Sequence, residues 1–127
     1  MGKQCIFCKL KDIKGEVIDG DEFSFLLEDG NPVSKYHTLI IPKRHFANFF
    51  EATSEEIDSI MSLLHKRRAE LLEKDKTIKG FNIGVNVGEV AGQTVMHLHV
   101  HLIPRREGDT SRPRGGVRGV IPEKMSY

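Results

Sequence analysis

Cysteine, net charge and long apolar runs are all scarce in this chain, and each shortage closes off a class of explanation. Two cysteines cannot build the several disulfides that hold small secreted scaffolds together. A formal net charge of +1 gives no bulk attraction for nucleic acid or for an anionic membrane. No stretch approaches the ~20 apolar residues of a membrane-spanning helix. No charged-then-apolar leader opens the sequence, so the cytoplasm is the expected compartment. Met1-Gly2 invites the question of N-terminal lipidation, but Ile6 stands where that motif needs Ser or Thr. What is left is 127 residues, 39% hydrophobic and 29% charged, enough for one domain with a core of its own.

Against that plain background one stretch stands out, Met96-His97-Leu98-His99-Val100-His101-Leu102-Ile103. Imidazole and aliphatic residues alternate with the period of a strand. The three histidines therefore share one face, and Met96, Leu98, Val100 and Leu102 share the core-facing one. With six histidines in the chain, such a run arises by chance in about one sequence per hundred. Residues two apart on a strand advance about 6.6 Å, so His97 and His101 stand roughly 13 Å apart along the backbone. Metal–nitrogen bonds of about 2.0–2.1 Å do not span that distance, which makes one ion shared by all three a poor fit and gives them separate tasks. Crowded imidazoles also disfavour one another's protonation, and a neutral imidazole held in one tautomer is a nucleophile.

Gly88-Glu89-Val90-Ala91-Gly92-Gln93-Thr94 runs directly into this strand. Its glycines, exposed amides, hydroxyl and side-chain amide suit an anion-binding concavity, and the chemistry implied is transfer of a phosphorus-centred group to histidine. At the other end of the chain lies Cys5-Ile6-Phe7-Cys8. Such a pair can be a redox couple, half of a metal site or two unrelated thiols. A four-cysteine site within one chain is excluded, and a Cys₂His₂ site needs two histidines from elsewhere.

Two segments resemble a known family. Gly92-Gln93-Thr94-Val95-Met96-His97-Leu98-His99-Val100-His101-Leu102-Ile103-Pro104-Arg105 resembles the signature of the histidine-triad (HIT) superfamily of nucleotide hydrolases and transferases. His37-Thr38-Leu39-Ile40-Ile41-Pro42-Lys43-Arg44-His45 resembles its other recurring segment, with features of both the Hint-type and Fhit-type branches. The resemblance implies His99 as nucleophile and His101 near the leaving group, with His97 completing the triad. It also implies phosphate contacts from Asn86, Gly92, Gln93 and Thr94, and ribose contacts from Asp29. It implies structural zinc on Cys5, Cys8, His45 and His97, with no organic cofactor, and a homodimer. Ile6, Phe7, Ile18 and Leu27 are base contacts by position, and His37 takes a structural part.

The remaining elements follow from local pattern. Val17-Ile18 and Phe23–Leu27 flank Asp19-Gly20-Asp21-Glu22 as a hairpin, Asp29-Gly30-Asn31-Pro32 is a turn, and Thr38–Ile41 is a strand closed by Pro42. Thr53-Ser54-Glu55-Glu56 is a capping box opening a helix that runs to about Lys74. Its core face is Ile57, Ile60, Met61, Leu64, Leu71 and Leu72, and Lys66, Arg67, Arg68 and Glu70 lie on the solvated face. Phe81-Asn82-Ile83-Gly84-Val85-Asn86-Val87 alternates, with Phe81, Ile83, Val85 and Val87 toward the core and Asn86 toward the triad. Residues 105–127 lack any period and form an irregular tail, free or laid over a cleft with its arginines offered to phosphates.

The expectation is therefore an α+β fold of about five antiparallel strands and one long helix at residues 54–74, a single domain over residues 1–127. The implied function is hydrolysis at the α-phosphate of nucleoside phosphoramidates or dinucleoside polyphosphates through a nucleotidyl–histidine. The expected partner is a purine nucleotide, with no nucleic acid and no membrane. Three other readings stand beside it: a nucleotidyltransferase or phosphorylase of the same superfamily, a hydrolase using the triad as zinc ligands, and a non-catalytic nucleotide-binding protein.

Overall fold

The computed structural model describes residues 5–13 and 15–127, so the Met1-Gly2 start lies outside the described residues. The first element is a single helical turn, α1 (Ile6–Leu10). A hairpin of β1 (Asp19–Gly20) and β2 (Ser24–Glu28) follows, then β3 (Thr38–Pro42) and the long helix α2 (Ser54–Lys74). Strands β4 (Ile78–Gly84) and β5 (Val100–Arg106) complete one five-stranded sheet in the order β1-β2-β3-β5-β4, with every pairing antiparallel. This is the α+β architecture the sequence pattern implies.

Local chemistry fixes the element ends. In the first hairpin Asp21 Oδ1 accepts from the N–H groups of Phe23 and Ser24, and both its oxygens accept from Ser59 Oγ on α2. The turn is thereby fastened to the helix, and the ladder begins at Asp19 rather than at Val17-Ile18. Ile18 N–H still bonds Leu26 O at 2.9 Å. Helix α2 starts as expected: Thr53 Oγ1 accepts from Glu56 N–H while Glu56 reaches back to Thr53 N–H. Arg44 grips the same Glu56 with two hydrogen bonds, of 3.0 and 2.8 Å, and stacks on Phe46 at 4.0 Å. The segment after β3 is thereby tied to the start of α2.

Both faces of β2 and β3 are covered, which is why they read as continuous apolar runs rather than alternations. On one face Leu26, Ile40, Leu98, Val100 and Leu102 pack against Ile60, Leu63, Leu64 and Leu71 of α2. On the other, Phe25, Leu27, Leu39 and Ile41 pack against Phe7 of α1. Register places His101 opposite both Leu39 of β3 and Gly84 of β4, on this second face, where α1 covers only part of the sheet.

Several sequence expectations need correction. Arg67 is buried rather than solvated: its Nε donates to Thr38 Oγ1 at 3.1 Å and its Nη2 reaches Glu28 at 3.3 Å, so the aliphatic stem lies along the sheet with the charged head at the end of β2. Met61 and Met96 are substantially exposed instead of core. Ile83 is 52% exposed, since β4 is an edge strand that α2 does not fully cover. Val85–Val87 leave the ladder altogether. The tail is folded, with 3₁₀ turns at Gly116–Val120 and Pro122–Lys124, the first packed on β4.

Candidate active site

The triad straddles the start of β5. Residues 95–99 approach the sheet outside the ladder, and Leu98 N–H bonds Phe46 O at 2.7 Å. The alternation survives this irregular backbone. Leu98, Val100 and Leu102 are fully or almost fully buried on the α2 side, and the imidazoles point the other way.

The three imidazoles have different surroundings. His97 is completely buried and does not line the cleft, which removes it from direct contact with a substrate there. His99 and His101 line a cleft of about 710 Å³ together with Asp29, Asn86, Gly92 and Thr94. His99 Nδ1–H donates to the His97 carbonyl oxygen at 2.8 Å, which leaves the lone pair on Nε2. A second chain of bonds fixes His101. Val33 N–H donates to His37 Nδ1 at 3.0 Å, so the His37 hydrogen sits on Nε2 and donates to His101 Nδ1 at 2.9 Å. The His101 hydrogen is then on Nε2. Burial, aided by its His99 and His37 neighbours, pushes the pKa of His101 down to about 4, so it is neutral at pH 7.

His37 therefore does more than the structural part the sequence suggested: it sets the tautomer of a triad histidine. A strand-end histidine four residues after an exposed turn gives no sequence signal of such a role. Asp29, His37 and His101 also converge closely enough to resemble a metal site. The Val33 N–H argues against it, because it holds the His37 proton on the nitrogen a metal would need.

The loop before the triad keeps its expected position but not every expected contact. Gly88 and Gly92 have φ of 94° and 99°, which suits glycine. Gln93 is buried and its amide is fully engaged within the protein: Oε1 accepts from Gly88 N–H, and Nε2 donates to the carbonyls of Ala47 and Val95. Its side chain braces the loop instead of facing phosphate, a use that an amide read from sequence does not reveal. Thr94, Gly92 and Asn86 remain at the cleft, where Asn86 sits beside Gly92.

One end of the cleft is apolar, lined by Ile6, Phe7 and Leu27 together with Leu10 and Leu39. Ile18 is not among these side chains and is 42% exposed. Asp29 Oδ1 accepts from Asn31 N–H, and its Oδ2 lies 3.5 Å from His37 Nε2.

Beneath α1 the structure brings Cys5, Cys8, His45 and His97 together. His97 Nδ1 is 3.4 Å from Cys5 Sγ, 3.5 Å from Cys8 Sγ and 3.1 Å from His45 Nδ1, and Cys8 Sγ is 3.3 Å from His45 Nδ1. Bonds of 2.3 Å to sulfur and 2.0–2.1 Å to nitrogen give tetrahedral edges of about 3.3–3.8 Å, so zinc fits this donor set with small adjustments. The second coordination layer agrees: His97 Nε2–H donates to Pro42 O at 2.8 Å, which frees Nδ1 for a metal.

Known proteins resemble this chain in sequence and in fold. A family model described as the HIT domain matches residues 11–108. The chain is 42% identical over 107 residues to an uncharacterized HIT-like protein of Methanocaldococcus jannaschii, covering 83% of this chain and 81% of that one. It is 36% identical over 115 residues to a Candida albicans protein named adenosine 5′-monophosphoramidase, covering 84% and 73%. A zinc-bound histidine triad family protein from Mycobacterium smegmatis matches the structure with a TM-score of 0.77 at 31% identity, covering 88% of this chain and 82% of that chain. No helix among the described residues is long and apolar enough to cross a membrane. Sequence, fold and the paired histidine segments agree: the chain belongs to the HIT family.

Proposed function

We propose that the protein hydrolyses nucleotides at the α-phosphorus, with His99 as nucleophile and a nucleoside monophosphate, AMP for an adenine substrate, as product. The observation that carries this reading is the His99 tautomer: Nδ1–H is held by the His97 carbonyl, so Nε2 keeps its lone pair in a cleft suited to a nucleotide. A purine base fits the apolar end around Phe7 and Leu27, and Asp29 is placed to accept from ribose hydroxyls. Thr94 Oγ1, Asn86 and the backbone N–H groups near Gly92 are the donors for the non-bridging oxygens.

In the first step the His99 Nε2–phosphorus bond forms as the bond to the leaving group breaks, and its electron pair goes to the departing atom. His101 Nε2–H donates a hydrogen bond to that atom. In the second step water attacks phosphorus and releases His99. Over both steps one water supplies the hydroxyl to phosphorus and the proton to the leaving group, so both histidines return unchanged. A competing acceptor in place of water turns the same intermediate into a transferase product. The Candida relative's name supports a phosphoramidate as the bond cleaved.

Zinc on Cys5, Cys8, His45 and His97 supplies a cross-link that fastens α1 to the sheet, a folding role. The working unit is a homodimer, formed where edge strand β4 and α2 leave an apolar groove lined by Phe49, Ile57, Met61, Ile83 and Val85.

His99→Ala tests the chemistry. Turnover of adenosine 5′-phosphoramidate is expected to fall by at least about 10³-fold while nucleotide binding changes little, because the step lost is covalent. Turnover within tenfold of the wild type contradicts the assignment.

A further inference from the structure

His101 can offer a hydrogen to a departing atom only while its proton sits on Nε2, and that proton is placed from a distance. His37 Nε2–H points at His101 Nδ1 because Val33 N–H occupies His37 Nδ1. If that N–H slips, His37 can carry its hydrogen on Nδ1 instead. His101 Nδ1–H then donates to His37 Nε2, and His101 Nε2 holds a lone pair where the leaving atom needs a donor. One backbone N–H decides between the two arrangements.

The Val33 side chain does little to keep that N–H in place, being 71% exposed, and Asn31 and Pro32 before it are exposed as well. The turn is fastened instead to β5, the strand that carries His101, at two points. Ser34 Oγ donates to Pro104 O at 2.6 Å, and Arg106 Nη2 donates to Lys35 O at 3.1 Å. Arg106 is itself held by Asp75 at 3.0 Å and by Thr77 at 3.1 Å. Because both anchors belong to β5, Val33 N–H and the His101 ring are set against the same backbone.

The turn is also kept in a costly shape. His37 N–H closes it onto Ser34 O at 3.0 Å, and Tyr36, at its third position, has a φ of 74°, where glycine is the usual occupant. A bulky residue persists there when its surroundings over-determine it. Tyr36 O accepts from Thr38 Oγ1 at 2.8 Å. Its ring packs against the α2-side core, with the Lys35 and Lys74 ammonium groups 5.1 and 4.7 Å from its centre.

We infer that Ser34 is a positioning residue for departure of the leaving group: through Pro104 O it holds Val33 N–H on His37, and so keeps the His101 proton on Nε2. The inference rests on the reading of His99 and His101 given above. Ser34 does not line the cleft, so it acts through the turn and not on the substrate.

Two substrates separate this role from general support of the fold. One is the adenosine 5′-phosphoramidate of ethylamine, whose nitrogen needs a hydrogen to depart. The other is the 4-nitrophenyl ester of AMP, whose nitrophenolate departs without one. Ser34→Ala should lower kcat for the phosphoramidate about tenfold, part of the roughly 10²–10⁴-fold that positioned proton transfer contributes, while its KM and turnover of the ester stay within about twofold. Ser34→Thr keeps the hydroxyl and should restore the wild-type ratio of the two rates. Nitrogen-15 NMR of histidine-labelled protein should find the wild-type His101 proton on Nε2 alone, and both tautomers populated in Ser34→Ala. An equal fall on both substrates, no fall on either, a threonine variant that stays at the alanine ratio, or a Ser34→Ala protein with the His101 proton wholly on Nε2 overturns the positioning role. In those cases a wild type that turns over both compounds still upholds the His99 chemistry. A wild type inactive on both overturns that chemistry and this inference with it.

Discussion

His101 links the site to stability. Its pKa is depressed from an ordinary 6.5 to about 4, chiefly by burial. Between those values the unfolded chain binds a proton that the folded chain does not. Its contribution is therefore complete above pH 6.5 and is lost progressively as pH falls toward 4. Urea titrations should show the wild-type midpoint dropping between pH 7 and pH 4.5 more steeply than that of His101→Gln, and parallel slopes would contradict it. The same residue marks what sequence could and could not supply. Alternation alone put His97, His99 and His101 on one face, and spacing alone made one ion shared by all three a poor fit. Which of them reacts is not encoded in that pattern. The His97 carbonyl on His99 Nδ1 gives a physical reason for the choice, and that bond depends on an irregular backbone before β5 that no periodicity announces. The hydrogen bonds of Gln93 and His37 are not legible in the sequence for a related reason: their partners, Ala47 and Val33, are contacts made only in the fold.

Helix α1 is five residues long, far too short to hold its shape alone, so it depends on what it is fastened to. Phe7 packs 5.0 Å from the His99 ring and 5.9 Å from that of His97, so α1 braces His99 as well as the apolar end of the cleft. On the proposed reading, zinc held by the Cys₂His₂ cluster supplies the fastening. Native mass spectrometry should find one zinc per wild-type chain and none in the Cys5→Ser/Cys8→Ser variant. Chelation should lower the wild-type Tm by at least about 4 °C, the shift that loss of 1 kcal/mol produces in a domain of this size. A Tm indifferent to chelation would contradict the role. Long elements were legible: the Thr53–Glu56 box fixed the start of α2, and the apolar runs at Phe23–Leu27 and Thr38–Ile41 marked β2 and β3. Short or edge elements were not. Strand β4 alternates well enough to be seen, yet its position at the sheet edge, which exposes Ile83, is a property of strand order and not of the segment.

At the scale of the molecule, β4 offers unpaired backbone groups beside the groove that contains Met61 and Ile83, which are 48% and 52% exposed. A second copy covering this face accounts for apolar side chains that a monomer leaves in water. Sedimentation equilibrium should give a dimer for the wild type and a monomer for Met61→Glu, and a monomeric wild type would contradict the assembly. The tail shows how far composition reaches: its lack of period correctly indicated the absence of long elements, whereas its folding against β4 rests on Gly115 and on two arginines meeting one tyrosine. All of the proposed chemistry passes through one covalent species. Rapid acid or base quenching of the enzyme during turnover of adenosine 5′-phosphoramidate, followed by peptide mass spectrometry, should find one adenylyl group bonded to His99. An adduct on His97 or His101, or none while product accumulates, would contradict the account.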